Sequence, residues 1–361
     1  MHLQARRIFR LSLTPAVALA IAYAIAIPLP FIAPLFALFL TVMPGPPLGA
    51  KKLLGLIILV MLTLGMGVML IPLLLHFQLT ALLLVLMGLY FSSYLTVNLN
   101  KNLPGTFLAM GITMISAAGT VSYSLSALII QALIMGIIIA TMSQSFVYLF
   151  FPEDPPKPVQ ADEAQSSETQ DKKDVDSKDA TQSNWIAIRS TMIVFPAYLI
   201  LLSNPLAYMP IAMKSVMLSQ QTSSMDAKSA GIELIGSTFL GGLFAVLFWF
   251  FLGLWTNLWM FFLWMLLFCL YFSCKIYQLI PTRFPASFWI NTAVTMLIML
   301  GPAVEDSAGG KDVYAAFFSR LVLLTLITLY ALFAVYFLEY LKSNHSSRNL
   351  RKKISCAILV L

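Results

Sequence analysis

The chain has 361 residues, of which 60% are hydrophobic and 10% charged, with a formal net charge of +7; soluble globular domains carry roughly 45–50% apolar and about 25% charged residues. That balance excludes an ordinary soluble fold and indicates an all-α polytopic membrane protein, because apolar runs of the ~17–25 residues that a helix needs to cross ~30 Å of hydrocarbon recur along nearly the whole chain. Period-two alternation over ~10-residue strands is missing, which argues against a transmembrane β-barrel.

Arg6, Arg7 and Arg10 precede the first apolar stretch, whose ALA and AYA triplets have the look of a secretory signal. Pro28-Leu29-Pro30 leads directly into a second apolar stretch, so the expectation is an uncleaved first helix. Six spans are predicted in residues 1–151, at about 11–27, 31–48, 52–72, 79–97, 104–121 and 124–151. Residues 152–184 then change character: nine acidic and four basic residues, no aromatic, and a net charge of −5 that leaves +12 for the rest of the chain. Such a segment cannot bury enough apolar surface to offset its ordering entropy, and it reads as a disordered acidic linker. Six further spans are predicted within 185–341, at about 189–205, 208–224, 232–253, 258–275, 285–302 and 313–341, followed by a basic tail, 342–361.

The two sets of six share sequence. GLYFSSYL at 88–95 returns as CLYFSCKI at 269–276; at the same offset of 181, LPGTF at 103–107 faces FPASF at 284–288, and Pro15-Ala16 faces Pro196-Ala197. The expectation is about 12 transmembrane helices arranged as two six-helix repeats, with Tyr90 and Tyr271 at equivalent places in the fourth span of each. Basic residues favour short cytoplasmic loops. Placing the N-terminal arginines inside also puts Lys51, Lys52, Lys101, Arg189, Lys228, Lys275, Arg283 and the tail cations Lys342, Arg348, Arg351, Lys352 and Lys353 inside. An even number of spans per half makes the repeats parallel, related by an axis along the membrane normal, and a substrate path is expected between them.

Catalytic signatures are missing: no phosphate-cradling glycine loop, GxSxG elbow or HExxH occurs, so neither enzymatic activity nor a cofactor is expected. Cys269, Cys274 and Cys356 suggest no disulfide framework, and His2, His76 and His345 are scattered. Gly65, Gly67, Gly241 and Gly242 are read as points of close helix approach. Two cations stand out. Lys214 and Arg320 lie six or seven residues into spans eight and twelve, at matching predicted depth, where a charge costs about 2.5–3.5 kcal/mol to insert. Two roles are open to them: binding an organic anion, with Arg320 gripping a carboxylate, or snorkelling to Glu305, Asp306 and Asp312 at the outer interface. The aromatic run FWFFLGLWTNLWMFFLW at 248–264 reads as an interfacial belt with Trp255 and Trp259 at headgroup depth, or else as an aromatic-lined entrance.

The arginine-rich start, PLPFIAPLFALFLTVMPGPPLGAKKLLG at 28–55, a six-span set ending in YLFFP and a second six-span set together resemble a small bacterial branch of the fusaric acid resistance and aromatic acid exporter group. The resemblance implies an inner-membrane efflux protein that exports aromatic carboxylic acids or amphipathic drugs and works with a haemolysin-D-type periplasmic adaptor and an outer-membrane channel; the distribution of basic residues places both termini and the linker in the cytoplasm. The resemblance places Lys51 and Lys52 at the cytoplasmic entry of span three. Unlike the larger members, this chain has no folded domain between its halves. With Lys214, Arg320, Tyr90 and Tyr271 as candidate substrate contacts, the expected function is secondary efflux. Energy coupling is open between proton antiport and membrane potential, since no carboxylate is predicted in mid-membrane. A non-transporting scaffold that anchors an adaptor or envelope enzyme is the alternative from another class, and a passive channel is a third.

Overall fold

The computed structural model of the chain describes residues 3–42, 49–99, 102–152, 176–222, 227–310 and 312–358. Lys101, Lys311 and the linker over 153–175 lie outside them, as do the side chains of Lys228, Glu339 and the tail cations. The described residues form helices α1 (Leu3–Ala24), α2 (Ile32–Val42), α3 (Ala50–His76), α4 (Gln78–Val97), α5 (Asn102–Met110), a π-helical turn (Gly111–Ile115), α6 (Ser116–Val121), α7 (Tyr123–Phe150), α8 (Asp176–Ser203), α9 (Pro205–Thr222), α10 (Ala227–Leu254), α11 (Leu258–Ile276), α12 (Ala286–Ala308) and α13 (Val313–Ile358), with no strand among them. Helix α8 begins inside the segment read as linker, and α13 continues through most of the segment read as tail.

Ten of these segments are long and apolar enough to cross a bilayer, with α5, the π turn and α6 counting as one. The chain is thus a multi-pass helical membrane protein. Among the described residues, two of the twelve expected spans do not meet that test. The described part of α2 has 11 residues, about 16 Å, or half of what a ~30 Å core requires. Eight of its residues are buried, because it sits against α1, α7 and α12 and not in lipid; an apolar run reads alike in either solvent. Helix α9 has 18 residues but is also interior, packed by α8, α12, α13, α5, the π turn and α6. Enclosure by protein explains how it carries Lys214, Ser215 and Ser219, all buried.

The first and second halves pack in the same pattern. Helix α1 lies along α11 while α4 lies along α8, so the first helix of each half rests on the fourth of the other. Within the halves, α1 meets α2 and α7 as α8 meets α9 and α13, and α3 packs on α5, the π turn and α6 as α10 packs on α12. Buried side-chain contacts join the halves: Ser93 Oγ donates to Ser190 Oγ at 3.0 Å, Asn98 Nδ2 to Asn184 Oδ1 at 2.9 Å, and Ser116 Oγ lies 3.1 Å from Tyr198 Oη. Bonds of this kind contribute about 0.6 kcal/mol each in membrane bundles, so they align the halves more than they hold them.

Small residues set the closest approaches. A Cβ added at Gly67 would lie 2.0 Å from the Gly111 carbonyl oxygen, and one added at Gly111 would lie 2.6 Å from the Thr63 carbonyl oxygen, so α3 and the π turn meet backbone to backbone. Gly241 meets α12 at Thr292 and Thr295, and Gly242 meets Leu321 of α13. Gly65 faces open space, so the packing role expected for it does not hold.

The end of the bundle that carries the N-terminal arginines gathers Arg10, 5% exposed and 4.7 Å above the Tyr148 ring, together with the stacked pair Phe9 and Phe151. Tyr277, in the loop after α11, is half-buried there; burial pushes its hydroxyl pKa up, and Arg7 and Arg10 oppose the shift. Arg10 and Arg189, expected near loops, are buried within helices at this end, while Lys51 and Lys52 are exposed in the first turn of α3.

Candidate functional site

A cavity of about 950 Å³ opens at the opposite end, between the halves. Its first-half wall comes from Pro28, Leu29 and Phe31 before α2 and from the first turns of α7; its second-half wall comes from Tyr208 and Met209 of α9, the C-terminal turns of α12 and the early turns of α13. Among the described residues, the charged side chains of the lining are Glu305, Asp306 and Arg320. The α12 wall is shaped by Pro302, which removes a backbone donor from the helix, and by Gly301, where an added Cβ would meet the Phe31 ring at 2.1 Å.

Arg320 lines this cavity and is paired with Asp306 through Nη2. Of the two roles weighed for it, pairing with the acidic turn is the one present. Its Nη1 is buried and has no hydrogen-bond partner among the described residues. Lys214 is elsewhere. It is 1% exposed, does not line the cavity, and donates from Nζ to Thr295 Oγ1 at 2.7 Å. Thr295 and Asp306 are eleven residues apart on α12, about 16 Å along a helix. The two cationic heads therefore do not share a depth as expected: the long Arg320 side chain reaches out to Asp306, while Lys214 points inward to Thr295. They do not form one anion cleft.

Tyr90 and Tyr271 are also outside the cavity lining. Tyr90 is half-buried; Tyr271 is 38% exposed and packs on Phe244, Phe272 and Trp289, with Lys275 Nζ 5.9 Å from its ring centroid. The exposure pattern of α4 recurs in α11 at an offset of 180, not 181. Ala81, Val85, Leu89, Ser92 and Ser93 are buried, and so are Phe261, Met265, Cys269, Phe272 and Ser273. Tyr271 thus takes the place of Phe91, and Tyr90 that of Leu270. The shared phrase reflects packing: Ser92 Oγ donates to the Gly105 carbonyl at 2.6 Å, and Ser273 Oγ to the Cys269 carbonyl at 2.7 Å. Trp255 and Trp259 are exposed at the turn between α10 and α11, as an interfacial belt requires, and the aromatic run supplies none of the cavity lining.

Sequence reasoning missed two features. Thr295 has no local signal, since it becomes a partner only when α9 and α12 meet across 81 residues. The π turn Gly111–Ile115 is fully buried and lies outside the cavity lining, although such turns often accompany functional sites.

Residues 7–155 match a family model described as a protein of unknown function, DUF2955. No curated protein matches the chain. No solved structure does either.

Proposed function

We propose that the chain is a secondary efflux transporter of the bacterial inner membrane that exports small amphipathic organic solutes, aromatic carboxylic acids among them, through the space between two parallel six-helix repeats. The observation that carries this reading is the cavity, whose walls are drawn from both halves and whose lining sets Arg320 among apolar side chains. A carboxylate beside Arg320, with its ring against Phe31, Tyr208 and Met209, fits the mixture of a few polar groups on apolar walls typical of small-molecule sites. The matched helix pairings and the burial pattern of α4 and α11 support the repeats. The cations at the other end support a cytoplasmic position for both termini and the acidic linker. Export into a haemolysin-D-type adaptor and an outer-membrane channel completes the reading and rests on the family resemblance.

Efflux of 4-hydroxybenzoate and of ethidium from cells that carry or lack the chain tests the proposal. The expected outcome is several-fold higher retention of at least one probe without the chain, with Arg320→Ala reducing 4-hydroxybenzoate export about tenfold at unchanged membrane abundance, the loss of one charge-assisted hydrogen bond worth about 1.5 kcal/mol. Equal retention of both probes would favour the scaffold.

A further inference from the structure

Lys214 is among the largest fully buried side chains of the molecule. An ammonium offers three donors, and among the described residues its Nζ has one hydrogen-bond partner, Thr295 Oγ1 at 2.7 Å, whose own proton goes to the Asn291 carbonyl at 2.8 Å. A fully ionised lysine in this setting would leave two donors unmet in a low-dielectric interior, a costly state for a merely structural side chain. The surroundings do not neutralise it. Of the elements packed on α9, α5, the π turn and α6 carry no titratable side chain. Helix α8 carries Arg189 and Tyr198 among its described side chains, the latter in contact with Ser116. Helix α12 carries Glu305 and Asp306 at its cavity end, and α13 carries Tyr314, Arg320, Tyr330, Tyr336 and Tyr340 among its described side chains; α9 itself adds Tyr208. None of these donates to or accepts from Lys214 Nζ.

The position is also singular in the fold. Pro34 in α2 and Pro210 in α9 are each followed four residues later by an interior side chain, Leu38 in the first half and Lys214 in the second. At the 181-residue offset, Thr295 corresponds to Met114 in the π turn, also buried. Leu38 and Met114 are both apolar, whereas the second half holds, at the level of Thr295, a lysine and its hydroxyl partner. That level lies about 16 Å below the charged turn of α12, and Pro302 separates the two.

We infer that Lys214 and Thr295 form the proton-binding site that couples solute export to the proton gradient. The inference rests on the transport reading above and adds the coupling group, for which the described residues offer no carboxylate in the middle of a spanning helix. In one cycle the ammonium gives one proton from Nζ to water on the cytoplasmic side, and the amine takes one from water on the outer side as solute leaves. No other bond changes. The neutral amine accepts from the Thr295 hydroxyl and the ammonium donates to it, so one partner serves both states.

Purified full-length protein in proteoliposomes separates the two readings. Counterflow of labelled 4-hydroxybenzoate or ethidium at equal pH reports the path; accumulation driven by an imposed pH gradient reports the coupling. Wild type is expected to do both. Lys214→Met is expected to keep counterflow within about twofold and to lose gradient-driven accumulation at least tenfold. Thr295→Val keeps the lysine but removes its partner, and is expected to move the pH of half-maximal driven accumulation by about one unit with counterflow intact; this variant decides the matter if Lys214→Met does not fold. Driven accumulation surviving in Lys214→Met, or an unchanged pH profile in Thr295→Val, overturns the inference. Wild-type counterflow with no response to the pH gradient overturns it alone, whereas no wild-type counterflow of either probe overturns the transport reading and this one together.

Discussion

The two halves of the chain place their helices alike and bury different chemistry. In the first half, α3 and the π turn touch through Gly67 and Gly111, and α2 buries Leu38 four residues after Pro34. In the second, α10 approaches α12 through Gly241 beside Thr292 and Thr295, and α9 buries Lys214 four residues after Pro210, against Thr295. An apolar interior tolerates polar groups only when they are partnered, so one half can pack through apolar side chains alone while the other keeps a partnered polar pair. The contrast teaches that similarity of packing between halves says little about where the chemistry sits; the positions where the halves differ in polarity say more.

The largest expected effect strikes the close-packed side. Gly111→Leu drives a side chain into the Thr63 carbonyl, a backbone group that cannot rotate away, and should cost about 3 kcal/mol or more. Detergent-solubilised yield and melting temperature should both fall; a normal melting curve would show that the π turn can shift and that the apposition is not what holds this half. Next comes an exchange of characters between the halves. Leu38→Lys places an ammonium where no threonine answers it and should destabilise by about 2.5–3.5 kcal/mol. Lys214→Met should leave stability unchanged or raise it, since apolar replacement of buried ionic groups is often neutral or favourable by about 1–4 kcal/mol. Opposite shifts in melting temperature sharpen the comparison, and equal losses would break it. The smallest effect belongs to the repeated phrase: Tyr271→Phe, on an outward face, should change stability by less than about 0.5 kcal/mol and leave efflux of either probe unaltered.

Much of the fold was legible because hydrocarbon imposes length and composition on any helix that meets it, and ten of the twelve predicted spans meet that test in the structure. What escaped was the surroundings of α2 and α9: PFIAPLFALFL carries the same apolar signal whether lipid or protein surrounds it. The likeness of GLYFSSYL and CLYFSCKI was visible, yet the burial register of α4 and α11 differs from it by one residue, because letters align by identity and helices by face. Lys214 and Arg320 were found by their charge alone. Their partners were not equally accessible: Asp306 lies 14 residues from Arg320 and was among the acids considered, whereas Thr295 lies 81 residues from Lys214 and belongs to a helix brought near only by the tertiary fold.

The account depends on the space between the halves being the route that solute takes. Cysteines at Leu128 of α7 and Ser319 of α13, which line opposite walls of the cavity, in a chain whose native cysteines are replaced by serine, allow a short bifunctional thiol linker to span it. Efflux of 4-hydroxybenzoate or ethidium should stop when the linker closes and return when a cleavable linker is reduced. Efflux that continues undiminished with the two walls joined would contradict a path between the halves.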